Sequence, residues 1–134
     1  MQATVPDGLI AAAIDARGGK LYGALFRKRG TSGGDLELVG EEIVLSNAEY
    51  FAWVAQQTGG RAPVFVTPTT EVVKTGLAAS PLASARVEEA SGDLAVFIGR
   101  HGLARAREGR LVDALGLEAN YIRRSDAEVK WQGG

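Results

Sequence analysis

LIAAAIDARGGKLYGALFRKRG, residues 9–30, decides the fold. Residues 9–14 are apolar on both faces, which is the pattern of a strand in the middle of a sheet. The run ends in one acid, Asp15. Gly18 and Gly19 then predict a tight turn. Residues 21–29 alternate, with Leu21, Gly23 and Leu25 against Tyr22, Ala24 and Phe26, and end in Arg27, Lys28 and Arg29. Together they predict two strands of a hairpin. An apolar strand that delivers one carboxylate to its rim is a common way to hold a metal ion or a reacting water. Asp15 is therefore the reference point for the rest of the chain.

Outward from this hairpin, residues 30–34 (GTSGG) form a plain turn signal. Residues 35–45 alternate and predict a third strand, broken near Gly40, which completes an antiparallel meander. Ser46 and Glu49 stand three apart at the head of an apolar-faced segment, the spacing of a capping box. That helix carries Tyr50, Phe51, Trp53 and Val54 and stops at Gly59 and Gly60. Residues 63–67 (PVFVT) predict a buried strand, and 71–77 a short helix whose cap lies in 67–70. Residues 81–90 predict a helix with Leu82 and Val87 inward, and 94–98 (LAVFI) a fifth strand. Residues 99–109 predict a basic loop, 110–120 a final helix, and 121–134 a polar tail behind a lead at 1–8. One domain, 9–120, is expected. Its class is α/β, a mixed five-stranded sheet (a three-strand antiparallel meander plus two further strands) with helices on both faces.

The totals narrow the function. Fifteen basic and sixteen acidic residues leave a net charge of −1, which argues against strong general affinity for nucleic acid. Basic clusters remain at 27–29 and at Arg100, Arg105, Arg107 and Arg110. There is no cysteine, which excludes disulfides, thiolate metal sites and a thiol nucleophile. The longest apolar runs are too short to span a bilayer, and residues 1–4 do not open a secretory signal. A cytoplasmic protein without a membrane partner is expected.

Four segments in order resemble ribonuclease H. YGALFRKRG (22–30) is similar to the family's second strand. SNAEYF (46–51) is similar to its N-N-x-x-E-L helix opening, and TPTTEVVKTGL (67–77) to its S-T-D-S-x-x-V-x-x-G-I segment. IGRH (98–101) and VDALGLEA (112–119) resemble its last strand, loop histidine and final helix. The resemblance spans residues 9–119 and implies a ribonuclease H-like fold in a short form without the basic handle helix. Carried over, Asp15, Glu49 and Asp113 match the metal-binding acids and His101 the loop histidine. Thr69 stands where the family places a further aspartate, and Glu71 lies two residues beyond it. Ser46, Asn47 and Thr70 fall at positions that contact the hybrid's backbone.

The implied chemistry is hydrolysis of the RNA strand of an RNA/DNA hybrid. Two divalent ions about 3.5–4 Å apart activate a water and stabilise the leaving oxygen. Magnesium favours carboxylates, waters and substrate phosphate. Three carboxylates carry roughly −3 against +4 for two Mg2+ or Mn2+ ions, so weak metal binding, above all of the second ion, follows, with slow turnover or a preference for Mn2+. Recognition of RNA would come from 2′-hydroxyl contacts. A monomer is expected, with no protein partner indicated.

Each residue also has a purely structural reading. Glu49 closes a capping box, Asp15 can bond turn amides, Thr69 and Thr70 are good helix caps, and Asp113, His101 and the arginines suit a solvated surface. An inactive ribonuclease H-fold protein that binds nucleic acid or another protein is the alternative to the nuclease. A nuclease acting on DNA is a third reading.

Overall fold

The computed structural model describes residues 8–29, 36–119 and Ile122. The elements run β1 (Gly8–Arg17), β2 (Lys20–Lys28), β3 (Leu36–Ser46), α1 (Asn47–Thr58), β4 (Val64–Thr67), α2 (Thr70–Ala78), β5 (Val87–Glu89) and α3 (Leu94–Arg107). The chain divides into two units, Met1–Ala90 and Ser91–Gly134, so the domain expected over 9–120 spans both. Most of the lead at 1–8, the turn at 30–34 and most of the tail lie outside the described residues.

The first unit is α/β, built on one five-stranded mixed sheet in the order β3-β2-β1-β4-β5. β1–β2 and β2–β3 are antiparallel, while β1–β4 and β4–β5 are parallel. The hairpin forms as its sequence predicts. Arg17, Gly18 and Gly19 all adopt positive φ, at 61°, 62° and 71°, which two glycines allow at little steric cost. β3 runs unbroken through Gly40, whose φ of 79° sits in a bulge. There Gly40, Glu41 and Glu42 lie between the pairs Leu25–Val39 and Gly23–Ile43, opposite Ala24 alone. Such an insertion bends an edge strand and blunts its pairing.

Paired residues share a face, and the register separates the two faces cleanly. One face carries Ala11, Ala13, Leu21, Leu25 and Phe65 and packs on Tyr50, Phe51 and Val54 of α1 and Val73 and Leu77 of α2. Full burial of each large side chain there contributes about 2–3 kcal/mol. The Tyr50 ring meets Phe51 edge-on at 5.2 Å, and Phe51 lies 5.6 Å from Phe65. The Tyr50 hydroxyl donates to the Ala12 carbonyl at 3.0 Å, and burial pushes the phenol pKa up.

The opposite face carries Ile10, Val66 and Ala90 with Phe26 and Val64. Both helices of this unit therefore lie on one face, not one on each as expected. The reason is that β3→α1→β4 and β4→α2→β5 join parallel strands that advance in one direction across the sheet. Right-handed crossovers then deliver both helices to the same side.

Four segments differ in kind from expectation. Residues 81–90 form a turn at 81–84 and then β5, not a helix. The Phe65 amide donates to the Arg86 carbonyl at 2.8 Å and the Ala90 amide to the Thr67 carbonyl at 2.8 Å, which draws the segment onto β4. Residues 94–98, expected as the fifth strand, open α3 in the second unit. A five-residue apolar run suits either state, and Leu103, Ala104, Arg105, Ala106 and Arg107 behind it are strong helix formers. The basic loop expected at 99–109 is thus mostly helix, ended by Gly109 at φ 72°. The helix expected at 110–120 is irregular over 110–119. Asp113 Oδ1 accepts from the Gly116 amide at 2.7 Å, a side-chain turn that competes with helical bonding. Among the described residues no helix is long and apolar enough to cross a membrane.

Candidate functional site

The end of the sheet where β1 stops gathers most of the candidate residues of the first unit. Asp15 pairs with Leu21, and Leu21 with Leu45. Leu21 is buried beneath α1, so the Asp15 position belongs to the helix-bearing face. Carrying the Ala12–Val66 register on by one places Thr67 level with Ala13. The carboxyl ends of β1 and β4 therefore meet at one edge of the sheet, beside the start of α1.

Asp15 is half-buried, and its Oδ1 accepts from the Arg17 amide at 2.8 Å. Glu49 closes the predicted capping box. Its Oε2 accepts from the Ser46 amide at 3.1 Å and the Ser46 hydroxyl at 2.6 Å, and the Glu49 amide donates to Ser46 Oγ at 3.4 Å. The Ser46 hydroxyl and then its amide hold the Glu49 carboxyl below its ordinary pKa, with the Lys20 charge adding a smaller pull. Both acids thus carry a structural bond, and each keeps a second oxygen, Asp15 Oδ2 and Glu49 Oε1, without a hydrogen-bond partner among the described residues.

A lowered folded-state pKa stabilises the fold above the unfolded value, here 4.5, and that contribution is lost as pH falls through the folded value. Glu49→Gln keeps a capping acceptor while removing this titration. The melting-temperature gap between wild type and Glu49→Gln is expected to shrink as pH drops from 7 to below 4.5. Thermal melts across that range check it, and a gap that widens on acidification would contradict it.

The hairpin turn bonds Asp15 on one side and the first residue of α1 on the other. The Asn47 amide donates to the Gly19 carbonyl at 3.0 Å, and Lys20 pairs with both Arg17 and Ser46. Asn47 Oδ1 is buried without a hydrogen-bond partner among the described residues, and Asn47 lines a groove of about 270 Å³ with Phe51, Gly76 and Pro81. At the end of β4, the Thr69 amide donates to Thr67 Oγ1 at 3.0 Å, and the two hydroxyls lie 3.2 Å apart. Thr69 is the N-cap of α2 but makes no side-chain cap bond, Thr70 is the first helical residue, and Glu71 is exposed in the first turn.

The remaining candidates belong to the second unit. His101 is exposed on α3 rather than in a loop, and Asp113 is exposed in the irregular segment rather than on a helix. Of the basic clusters, Arg27 and Arg29 approach Glu37 at 3.8 and 3.3 Å, Lys28 is buried, and Arg110 pairs with Glu108 at 3.4 Å. Such exposed pairs contribute at most about 1 kcal/mol.

Sequence reasoning missed Arg17, Gly19 and Thr67, which act here through a backbone amide, a backbone carbonyl and a buried hydroxyl. Gly19 was legible only as a turn residue, and Thr67 left a signal as the polar last residue of an apolar strand two places before another threonine; Arg17 left none.

Among the described residues no three histidine, aspartate or glutamate side chains group as a metal site. In kind, the donors of the first unit fit magnesium, because carboxylate oxygens are hard ligands and the ion accepts one or two carboxylates with waters and phosphate. No protein-family model and no curated protein matches this sequence. The class defined by the architecture is an α/β protein with a mixed five-stranded sheet.

Proposed function

We propose that this chain is a metal-dependent endoribonuclease of ribonuclease H type that hydrolyses the RNA strand of RNA/DNA hybrids with Mg2+ or Mn2+. One observation carries the reading. In a sheet of order β3-β2-β1-β4-β5, the acid near the end of the central strand bonds the hairpin turn, and the same turn bonds Asn47, the first residue of the helix that bears Glu49. On this reading Asp15 and Glu49 supply carboxylate oxygens to the ion, and Thr69 supplies only a neutral oxygen. A bound divalent ion would supply charge stabilisation and an activated water. Ser46, Asn47 and Thr70 are the candidate hybrid contacts, where 2′-hydroxyls distinguish RNA.

The second reading, a ribonuclease H-fold protein that binds without cleaving, is favoured by a specific pair of facts. Thr69 stands where the resemblance implies a carboxylate, and both candidate acids, Asp15 and Glu49, already serve backbone amides. The test offers end-labelled RNA/DNA hybrid, duplex DNA and single-stranded RNA to the protein in Mg2+ and in Mn2+. Cleavage of the hybrid RNA strand, faster in Mn2+, is expected. Hybrid binding without cleavage supports the second reading, and cleavage of DNA alone reassigns the substrate.

A further inference from the structure

No residue of α3 is buried. Leu94, Val96, Phe97, Ile98 and Leu103 all stand exposed, Ile98 to 68%. At 3.6 residues per turn, Leu94, Phe97 and Ile98 share one side of the helix and Val96 and Leu103 the opposite side. A Cβ added at Gly99 or Gly102 would meet nothing within 4 Å, so the helix is open there too. Helical stability comes mostly from packing an apolar face, and a helix of this length is marginal in water. Two interior glycines weaken it further. An exposed apolar helix of this kind marks a surface that something else covers.

Its charge says what kind of cover. α3 contains Arg100, Arg105 and Arg107 and no acid. None of the three arginines makes an ion pair or a side-chain hydrogen bond among the described residues. Of the flanking acids, Asp93 precedes the helix and Glu108 follows it, and Glu108 is engaged by Arg110 at 3.4 Å. The exposed surface of α3 is therefore apolar and cationic at once.

We propose that α3 docks on an anionic lipid surface, lying in the plane of the interface with its apolar side chains among the acyl chains and its arginine heads on the lipid phosphates. A protein groove covers one stripe of a helix, and here it would leave either Val96 and Leu103 or the Leu94 side in water. A lipid interface takes a helix to a depth of about 5–10 Å, against a helix diameter of about 10–12 Å, so it covers both sides. The long arginine stems reach back to the headgroups from within it. Nucleic acid would satisfy the arginines and leave five large apolar side chains exposed. The proposal is independent of the nuclease reading, and it supplies a lipid partner where none is expected from the sequence.

The experiment sediments the full chain with vesicles of phosphatidylcholine alone and of phosphatidylcholine mixed with phosphatidylglycerol. Binding to the mixed vesicles and not to the neutral ones is expected. Changing Arg100, Arg105 and Arg107 together to glutamine is expected to weaken it by on the order of a hundredfold, about fivefold for each arginine. The double variant Phe97→Ser, Ile98→Ser is expected to abolish it, and since both side chains are exposed the first unit keeps its fold, which circular dichroism checks. The chain has no cysteine, so Ile98→Cys carries a single polarity-sensitive fluorophore. Its emission is expected to shift to the blue on the mixed vesicles, while the same label at exposed Gln57→Cys stays unshifted. No binding by wild type, or binding that survives the serine double variant, overturns the proposal. Self-association in sedimentation equilibrium that the serine variant removes, without vesicle binding, gives α3 to a second copy instead. Loss of RNA/DNA hybrid binding in the arginine variant, without vesicle binding by wild type, gives it to nucleic acid.

Discussion

Replacing Gly23 with alanine is expected to destabilise the protein by roughly 2–4 kcal/mol, through overpacking and disturbance of a buried hydroxyl bond. Gly23 lies in β2 on the helix-bearing face, directly beneath Tyr50. A Cβ built there overlaps the Tyr50 ring, with Cε2 the nearest atom and Cδ2 at 2.7 Å. Tyr50 is fully buried, packs against Phe51 and Phe65, and is held at its far end by the bond to the Ala12 carbonyl. The ring has nowhere to retreat without moving α1, and α1 carries Glu49. Glycine in a strand interior normally costs stability relative to alanine, by about 0.5–1 kcal/mol, so the bare propensity points the other way. Steric overlap wins because its cost is larger. Urea denaturation measures it, and a Gly23→Ala variant as stable as wild type would show that the Tyr50–β2 contact is looser than described.

The second large effect is a gain. Thr69→Asp is expected to raise Mg2+-dependent hybrid cleavage by about tenfold or more, on the scale by which neighbouring groups alter metal affinity. Thr69 is the N-cap of α2 and makes no side-chain cap bond. Aspartate is at least as good a cap as threonine, and its charge suits the positive end of the helix. The Thr67 hydroxyl, 3.2 Å from Thr69 Oγ1, could donate to the new carboxylate and orient it. The change therefore adds an oxygen ligand beside the carboxyl end of β1 at little cost in stability. Steady-state cleavage in Mg2+ against Mn2+ checks it. A variant with unchanged metal preference and rate would mean that Thr69 does not stand at the reacting centre.

How much was legible in the sequence depended on whether a signal was local. The hairpin was, because Gly18 and Gly19 sit between two apolar runs. The start of α1 was legible to the residue, because Ser46 and Glu49 satisfy each other across a single turn. Its end was too, because the Gly59 and Gly60 amides return to carbonyls of the last turn. β5 was not. Val87–Glu89 has three residues and no alternation to read, and it exists through its pairing with β4, a contact distant in sequence. Residues 94–98 misled for the opposite reason. Their apolar, β-branched content looks like a strand, and only the helix-forming residues behind them decide the matter. The apolar neighbours of Asp113 predict a helix, yet its own side chain accepts from the Gly116 amide and closes a turn. At the candidate site, the acids could be named from the sequence. Their backbone commitments could not, since an amide or carbonyl carries no residue-type signature.

The most direct measurement is hydrolysis of an end-labelled RNA/DNA hybrid in Mn2+ by wild type beside Asp15→Asn. Asparagine keeps an oxygen to accept from the Arg17 amide, so the turn survives while the charge is lost. Cleavage by wild type that falls to background in folded Asp15→Asn is the expected result. Equal cleavage by both proteins, or none by wild type, would contradict a nuclease centred on that carboxylate.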